Sequence, residues 1–206
     1  MPLPGEPSAR VLVLGAGAIG ALYGGMLARA GARVEVVCRT GHDAVRERGI
    51  QIRSASWGDG VFHPVQVLRD TAQVAQPPDF LLVALKAVRG VDRVALMRPA
   101  VGPSTVIVLV GNGIGIEHEI AQAFPANELV STLAFVAVSR AGPAEVRHHA
   151  LGRLAMGCYP RGISPAVERL ASLFSAAGVP CEAQADIAAS RWLKNLWNIA
   201  FNPISV

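Results

Sequence analysis

The chain contains little cysteine and has no long apolar run. Its three cysteines, Cys38, Cys158 and Cys181, lie far apart and form no Cys-x-x-Cys pair. This pattern argues against a disulfide framework and a zinc site, and it favours a reducing cytoplasm. No apolar stretch approaches the roughly 18 residues that span a bilayer, and the first residues lack the charged and apolar regions of a signal peptide. We therefore expect a cytoplasmic protein with no metal and no membrane partner.

Aromatic residues are also scarce, at 5% of the 206 residues, and they are not interleaved with basic ones. The formal net charge of +4 comes from scattered side chains. This arrangement does not predict a nucleic-acid partner, whereas a small anionic ligand suits the charge. About half of the residues are apolar (51%) and 17% are charged, which is typical of a packed globular protein.

Strand and helix patterns alternate up to about residue 125 and predict a doubly wound α/β domain of the Rossmann type. The expected strands here cover residues 10–14, 33–38, 50–53, 62–68, 80–85 and 105–110, and the expected helices 19–30, 43–48, 91–98 and 116–124. From residue 129 the pattern predicts an antiparallel extension of three strands, at 129–138, 145–149 and 153–156. A helix over 165–177, with Ser164 as its N-cap, a short strand near Cys181 and a final helix over 187–202 follow.

A Gly-x-Gly-x-x-Gly motif follows the first predicted strand and opens the first predicted helix. It consists of Gly15, Ala16, Gly17, Ala18, Ile19 and Gly20. In this context Gly15 permits a tight turn, Gly17 lets the backbone approach a pyrophosphate, and Gly20 lets the helix pack closely on the strand. The N–H groups near Ala18 and Ile19 would face the phosphates. The alternative is a glycine turn that binds nothing.

Arg39 follows the second predicted strand, at the place where an NAD site usually has an acid for the ribose 2′-hydroxyl. Glu35 lies inside the strand, too early for that role. A guanidinium pairs well with a 2′-phosphate, so the sequence favours NADP over NAD. The alternative is a solvated surface arginine.

Two further polar residues follow predicted strands at the ligand-binding edge of the sheet. Lys86 ends the strand over 80–85, and Asn112 lies in a Gly-Asn-Gly-Ile-Gly loop after the strand over 105–110. Each has an ordinary alternative. Lys86 would then be a lysine that emerges from the sheet, and Asn112 would serve a turn, because Asn-Gly is a strong turn pair.

The final predicted helix places Lys194, Asn198 and Asn202 one turn apart on one face. The rest of its surface is apolar, and a helix with apolar residues on most sides is usually buried. One amine and two amides in such a place need a partner, and a bound polar substrate would supply one. We expect Lys194, rather than any histidine, to act as the general acid. The alternative is a lysine at an interface whose amine reaches water.

These motifs together resemble the ketopantoate reductase (2-dehydropantoate 2-reductase) family. The resemblance covers the chain from Arg10 and includes Leu85-Lys86-Ala87 and the closing Trp192-x-Lys194-x3-Asn198-x3-Asn202-Pro203 pattern. It implies NADPH-dependent reduction of a 2-keto acid, ketopantoate to pantoate, with Lys194 as the catalytic acid. The implied cofactor contacts are Gly15–Gly20, Arg39, Lys86, Asn112 and Ala137, and the implied substrate contacts are Asn112, Asn198 and Asn202.

The resemblance also implies a larger protein than this chain. Family members have an all-helical C-terminal domain, of which residues 186–206 would be the first helix, after a flexible tail at 1–9 and an NADP-binding domain at 10–185. A lone terminal helix would expose a large apolar patch. Either the chain is part of a longer protein, or a partner or a homodimer covers this helix. Ser131 stands where the family usually has glycine. Reduction of another 2-keto acid, and an NADP-binding module without catalysis, remain alternatives.

Overall fold

The structure is a computed structural model that describes residues 8–86, 88 and 90–201, the last two by their backbone alone. The strands of this part are β1 (Arg10–Leu14), β2 (Arg33–Val37), β3 (Ile50–Ser54), β4 (Gly60–Phe62), β5 (Gln66–Leu68), β6 (Phe80–Val83), β7 (Val106–Val110), β8 (Leu129–Gly142), β9 (Glu145–Cys158) and β10 (Cys181–Ala183). The α-helices are α1 (Ala18–Arg29), α2 (His42–Arg48), α3 (Arg93–Met97), α4 (His118–Ala123), α5 (Pro165–Ala176) and α6 (Ile187–Phe201).

All ten strands belong to one sheet in the order β4-β3-β9-β8-β7-β6-β1-β2-β5, and β10 pairs with β9. The six strands from β8 to β5 in this order are parallel to their neighbours, so the predicted Rossmann-type fold is confirmed. The chain passes from β1 to β2 on one side and later to β6 on the other. The carboxyl ends of β1 and β6 therefore border the crevice where sheets of this type bind ligands.

Helices cover both faces of the parallel sheet because β1 is apolar at its four positions after Arg10. Val11 and Val13 join a core that includes residues of α1 and α5. Leu12 and Leu14 point to the opposite face and join a second core with residues of α3 and α4. Burial on both faces explains why the strand is an unbroken apolar run.

The predicted antiparallel extension of the sheet is confirmed, but its predicted division into three strands is wrong. β8 and β9 form one long antiparallel hairpin, and β9 runs through residues 150–152 with a shift in register. Leu151 (φ 64) and Gly152 (φ 123) have left-handed backbone there, so the Ala-Leu-Gly sequence forms an irregularity within a strand rather than a turn. β9 is also parallel to β3 and β10, which makes the extension mixed.

The single strand predicted over 62–68 is two strands with different partners. β4 pairs with β3 and β5 pairs with β2. Pro64 lies between them, and a proline lacks the N–H that a continuous strand would need. The predicted N-cap of α5 is confirmed, since the Ser164 hydroxyl accepts a hydrogen bond from the Val167 N–H at 3.2 Å.

The expectation that α6 is buried on most sides is wrong for the described residues, and the expected exposed patch is confirmed. Ile187 and Arg191 are buried, with 1% and 4% exposure. Five large apolar side chains of the same helix are 57–71% exposed, namely Trp192, Leu193, Leu196, Trp197 and Ile199. One edge of α6 therefore packs on the sheet. Asn202 and Pro203, like most of the predicted tail at 1–9, lie outside the described residues.

Candidate functional site

The glycine loop between β1 and α1 is shaped by close backbone packing. Gly15 has φ +99, and a Cβ there would lie 2.9 Å from Leu85 Cδ2. A Cβ on Gly20 would overlap the carbonyl oxygen of Gly15 and lie 3.0 Å from Val13 Cγ1. Gly17 is different. It is the N-cap of α1 with φ −72, and no described atom lies within 4 Å of a Cβ built on it. The first and third glycines thus serve the fold, while the middle one leaves space.

That space belongs to a cleft of about 270 Å³, which we call the glycine cleft. The described side chains and backbone that line it include Gly15, Ala16, Gly17, Arg39, Lys86, Arg69 and Arg140. Ala18, Ile19 and Gly20 form the first turn of α1 beside it. No described side chain caps this helix N-terminus, and its first turn contains no acid. Its N–H groups and the positive end of the helix dipole therefore favour an anion.

Two of the arginines in the glycine cleft were missed by the sequence reasoning. Arg140 lies at the far end of β8 and donates from Nη2 to the Thr40 carbonyl at 3.0 Å, which ties it to the loop that carries Arg39. Arg69 follows β5 and pairs with Asp43 at 2.7 Å. Arg69 stands at a strand's carboxyl end, so the rule that selected Lys86 could have found it. The position of Arg140 depends on long-range strand pairing.

A second cleft of about 420 Å³ continues from the first. This middle cleft shares Lys86 with the glycine cleft, and it is also lined by Ile19 and Asn112. Ala134 and Val136 of β8 form part of its wall. Ala137 is exposed and lines neither cleft. Side chains alternate along a strand, so the position implied by the family pattern lies on the other side of β8.

A third and larger cleft, of about 1150 Å³, lies between α6 and the β8–β9 hairpin. This lysine cleft contains Asn112, Lys194 and Asn198, and it shares Asn112 with the middle cleft. The remaining walls are mainly apolar and include Phe135, Leu193, Leu196 and Trp197. The structure therefore brings together all of the predicted substrate contacts that it describes.

Lys194 is held against the hairpin by its amine. Nζ donates to the Ala134 carbonyl at 2.5 Å and lies 4.6 Å from the centre of the Phe135 ring. Burial, together with the positive charges of Arg191 and Arg153, lowers the pKa of Lys194 from 10.5 to about 8. Such an amine is mostly protonated at neutral pH but releases its proton more readily than an ordinary lysine.

A buried ion pair connects α6 to the rest of the site, and the sequence reasoning missed it. Arg191 Nε lies 2.6 Å from Glu117 Oε1, and both side chains are 4% exposed. The Ser131 hydroxyl donates to the same Oε1 at 2.7 Å. Ser131, which differs from the family pattern, therefore faces this pair and lines none of the three clefts. Glu117 is the N-cap residue of α4.

The other candidate groups give weaker indications. In the described part of the chain, no group of three or more His, Cys, Asp or Glu residues could hold a metal ion. Helices there are too short or too polar to cross a membrane. As strand alternation predicts, His148 is buried and His149 is exposed. His148 is stacked on Trp57 with the ring centres 4.3 Å apart, away from the three clefts.

Comparisons with known proteins agree with this arrangement. The sequence model of the ketopantoate reductase PanE/ApbA family matches residues 11–161. A 2-dehydropantoate 2-reductase of Nostoc sp. is 29% identical over 199 residues, which are 94% of this chain and 62% of that protein. The crystal structure of 2-dehydropantoate 2-reductase from Methylococcus capsulatus has a TM-score of 0.92 at 49% identity, over 95% of this chain and 63% of the other.

A second crystal structure, 2-dehydropantoate 2-reductase from Geobacter metallireducens, has a TM-score of 0.87 at 33% identity. The match covers 94% of this chain and 64% of that one. The chain thus spans less than two thirds of the length of each of these three proteins.

Proposed function

Because the chain belongs to the ketopantoate reductase family, we propose that it supplies the NADPH site and the acid of an NADPH-dependent 2-dehydropantoate reductase. In this proposal residues 10–185 bind the cofactor and residues 186–206 begin the helical substrate domain. The observation that carries it is the continuity of the three clefts. Lys86 joins the glycine cleft to the middle cleft, and Asn112 joins the middle cleft to the lysine cleft.

The residues at the glycine end fit NADPH. The space at Gly17, which a Cβ would fill, is open to a pyrophosphate, and the start of α1 presents N–H groups to it. Arg39, Arg69 and Arg140 line the same cleft, and guanidinium groups pair well with a phosphate. Three cations fit the 2′-phosphate of NADPH better than the neutral hydroxyl of NADH. Lys86 and Asn112 would contact the nicotinamide half, and Ala137 would contribute only if β8 moved.

Bound NADPH would supply the hydride that reduces the ketone carbon of a 2-keto acid. The part of this chain is to place and polarise that ketone. The Lys194 ammonium would donate a hydrogen bond to the ketone oxygen and then its proton, which stabilises the negative charge that develops there. Asn198, which lines the same cleft, and Asn202, which the sequence pattern predicts one turn later, would hydrogen-bond the substrate's remaining oxygens. Asn112, at the junction of two clefts, would contact both cofactor and substrate.

The exposed apolar face of α6 bears on the partners of this chain. In the proposal, that face is covered either by the helical domain present in longer relatives or by a second copy of the chain. We propose the cytoplasm as its compartment, since all three cysteines are free thiols in the structure and a reducing environment keeps them so.

The test is NADPH consumption by the protein with 2-dehydropantoate and, in parallel, with other 2-keto acids. We expect turnover with 2-dehydropantoate, at least a hundredfold loss for Lys194→Ala, and little change in NADPH affinity for that variant. Faster turnover of another 2-keto acid would identify a different reductase. A wild-type protein that binds NADPH but turns over no 2-keto acid would contradict the enzymatic proposal and leave a binding module.

A further inference from the structure

Arg191 is the most extensively bonded cation near the lysine cleft, and the proposed function gives it no role. It lies one turn before Lys194 on α6 and is 4% exposed. Its Nη1 donates to the carbonyl oxygens of Gly111 at 2.6 Å and Gly113 at 3.1 Å. These carbonyls flank Asn112. One guanidinium therefore connects the helix that carries the lysine to the loop that carries the asparagine.

Two residues behind Arg191 compensate its burial. Glu117, just before α4, balances the charge at 2.6 Å. Ser131 of β8 accepts from Arg191 Nη2 at 2.7 Å and donates to Glu117 at 2.7 Å. A buried charge is tolerated only when it is paired and hydrogen-bonded. Arg191, Glu117 and Ser131, which we call the buried triad, meet this condition through the ion pair and the hydrogen bonds of Nη1 and Nη2, while Arg191 Nε lies close to Glu117 without forming a hydrogen bond.

We propose that the buried triad is a positioning unit that fixes Lys194 relative to the Asn112 loop. It would keep Lys194, the proton donor, at a constant distance from Asn112, the cofactor contact. This inference rests on the proposed function, in which both residues face the reacting ketone. Arg191 suits the role because its planar fork reaches several acceptors at once. A lysine at the same position would be a point charge and could not span both carbonyls and Ser131.

The charges around Lys194 allow changes in the buried triad to be measured through the pKa of Lys194. After burial, which is the largest cause, two cations lower its pKa, Arg191 on its own helix and Arg153 on β9. Each has an acidic partner: Glu117 pairs with Arg191 at 2.6 Å, and Glu182 of β10 lies 3.7 Å from Arg153. Arg153 packs over the Phe135 ring at 3.9 Å and lines only the lysine cleft. It is a matched control that shares the electrostatic effect of Arg191 but not its link to the Asn112 loop.

The experiment uses the fact that the chain has only two lysines, Lys86 and Lys194. Protein labelled with ¹³C at lysine Cε gives two resonances, which Lys86→Arg assigns, and their pH titration reports the pKa of Lys194 directly. We expect Arg191→Met to raise this pKa by about one unit, because a nearby cation is lost. Glu117→Gln should lower it, because Arg191 is then unbalanced. Arg153→Met should raise it as Arg191→Met does.

NADPH affinity separates positioning from simple electrostatics. We expect Arg191→Met, and also Arg191→Lys, to weaken NADPH binding at least threefold through the loosened Asn112 loop, whereas Arg153→Met stays within twofold of wild type. Arg191→Lys retains the charge, so its Lys194 pKa should stay low.

Folding is checked by circular dichroism, and if Arg191→Met does not fold, Arg191→Lys and Glu117→Gln carry the test. Wild-type NADPH affinity in Arg191→Met and Arg191→Lys, or a Lys194 pKa that does not fall in Glu117→Gln, would overturn the proposal. Neither readout requires turnover, so a wild type that reduces no 2-keto acid would contradict the proposed function alone.

Discussion

Gly17→Ala and Gly20→Ala should have opposite consequences although both add one methyl group to the same loop. At Gly20 the new Cβ would overlap the Gly15 carbonyl oxygen and lie 3.0 Å from Val13 Cγ1 and 3.1 Å from Ala84 Cβ. Overpacking of this kind costs about 1–3 kcal/mol. The strand and helix that it would push apart, β1 and α1, are both central to the fold. We therefore expect Gly20→Ala to lower the free energy of unfolding by about that amount.

At Gly17 the added methyl meets no described atom within 4 Å, and φ −72 suits alanine. The stability change should stay within about 1 kcal/mol, because reduced freedom of the unfolded chain opposes a slightly poorer N-cap. A pyrophosphate close to the backbone would collide with the methyl group. Losing one or two charge-assisted hydrogen bonds, at about 1.5–3 kcal/mol each, corresponds to a loss in NADPH affinity of at least about tenfold.

The assays are urea denaturation and NADPH fluorescence titration, and Gly60→Ala is the matched control. Gly60 is equally open and lies on β4, at the opposite edge of the sheet from β5. It should change neither quantity. If Gly17→Ala bound NADPH as tightly as wild type, or lost as much stability as Gly20→Ala, the assignment of the open space to a pyrophosphate would be refuted.

Two further predictions concern charge. Arg39→Ala should reduce the preference for NADPH over NADH, and alanine at Arg39, Arg69 and Arg140 together should reduce it about tenfold or more, because all three line the same cleft; an unchanged preference in the triple variant would contradict the 2′-phosphate site. Lys194 should contribute a rise in the free energy of unfolding between about pH 8, its pKa in the folded protein, and its ordinary value of 10.5, because the unfolded lysine keeps its proton there. Burial raises the pKa values of Cys38, Cys181 and Tyr23, which acts in the opposite direction at high pH, so the contribution of Lys194 is the difference between wild type and Lys194→Met. Lys194→Met should remove that rise and be about 1–2 kcal/mol more stable at pH 7, whereas equal slopes in urea denaturation would show that Lys194 is not desolvated.

The sequence predicted the parallel half of the fold well because its strands, helix starts and helix ends are marked by neighbouring residues. The β1–glycine loop–α1 unit, the N-cap at Ser164 and the polar face of α6 each depend on residues within a few positions of one another. The sequence pattern divided β9 wrongly because Ala150-Leu151-Gly152 has the composition of a turn. Residues that are distant in sequence but close in space keep this segment in the strand. One such neighbour is Tyr23, whose hydroxyl donates to the Gly152 carbonyl at 3.1 Å.

The site was predicted in part for the same reason. Lys86, Asn112 and Lys194 were found from their places after strands or on a helix face. The pairing of Arg191 with Glu117 could not be predicted in this way, because the two residues are far apart in sequence and neither is unusual in its own segment. Long-range pairs of this kind are invisible to periodicity, and only the sheet order brings them together.

The strand order also constrains how the protein folds. β3 is synthesised early, yet it lies between β4 and β9 in the sheet. The Tyr23 hydroxyl on α1 likewise donates to the carbonyl of Gly152, which is 129 residues later in the chain. Until β9 emerges from the ribosome, Ile52 lacks its partner Val146. Such non-local pairing slows folding and leaves strand edges open. A nascent chain that ends near residue 125 should therefore contain the whole glycine motif yet remain an open sheet, and a chaperone that shields apolar strands would be expected to bind it.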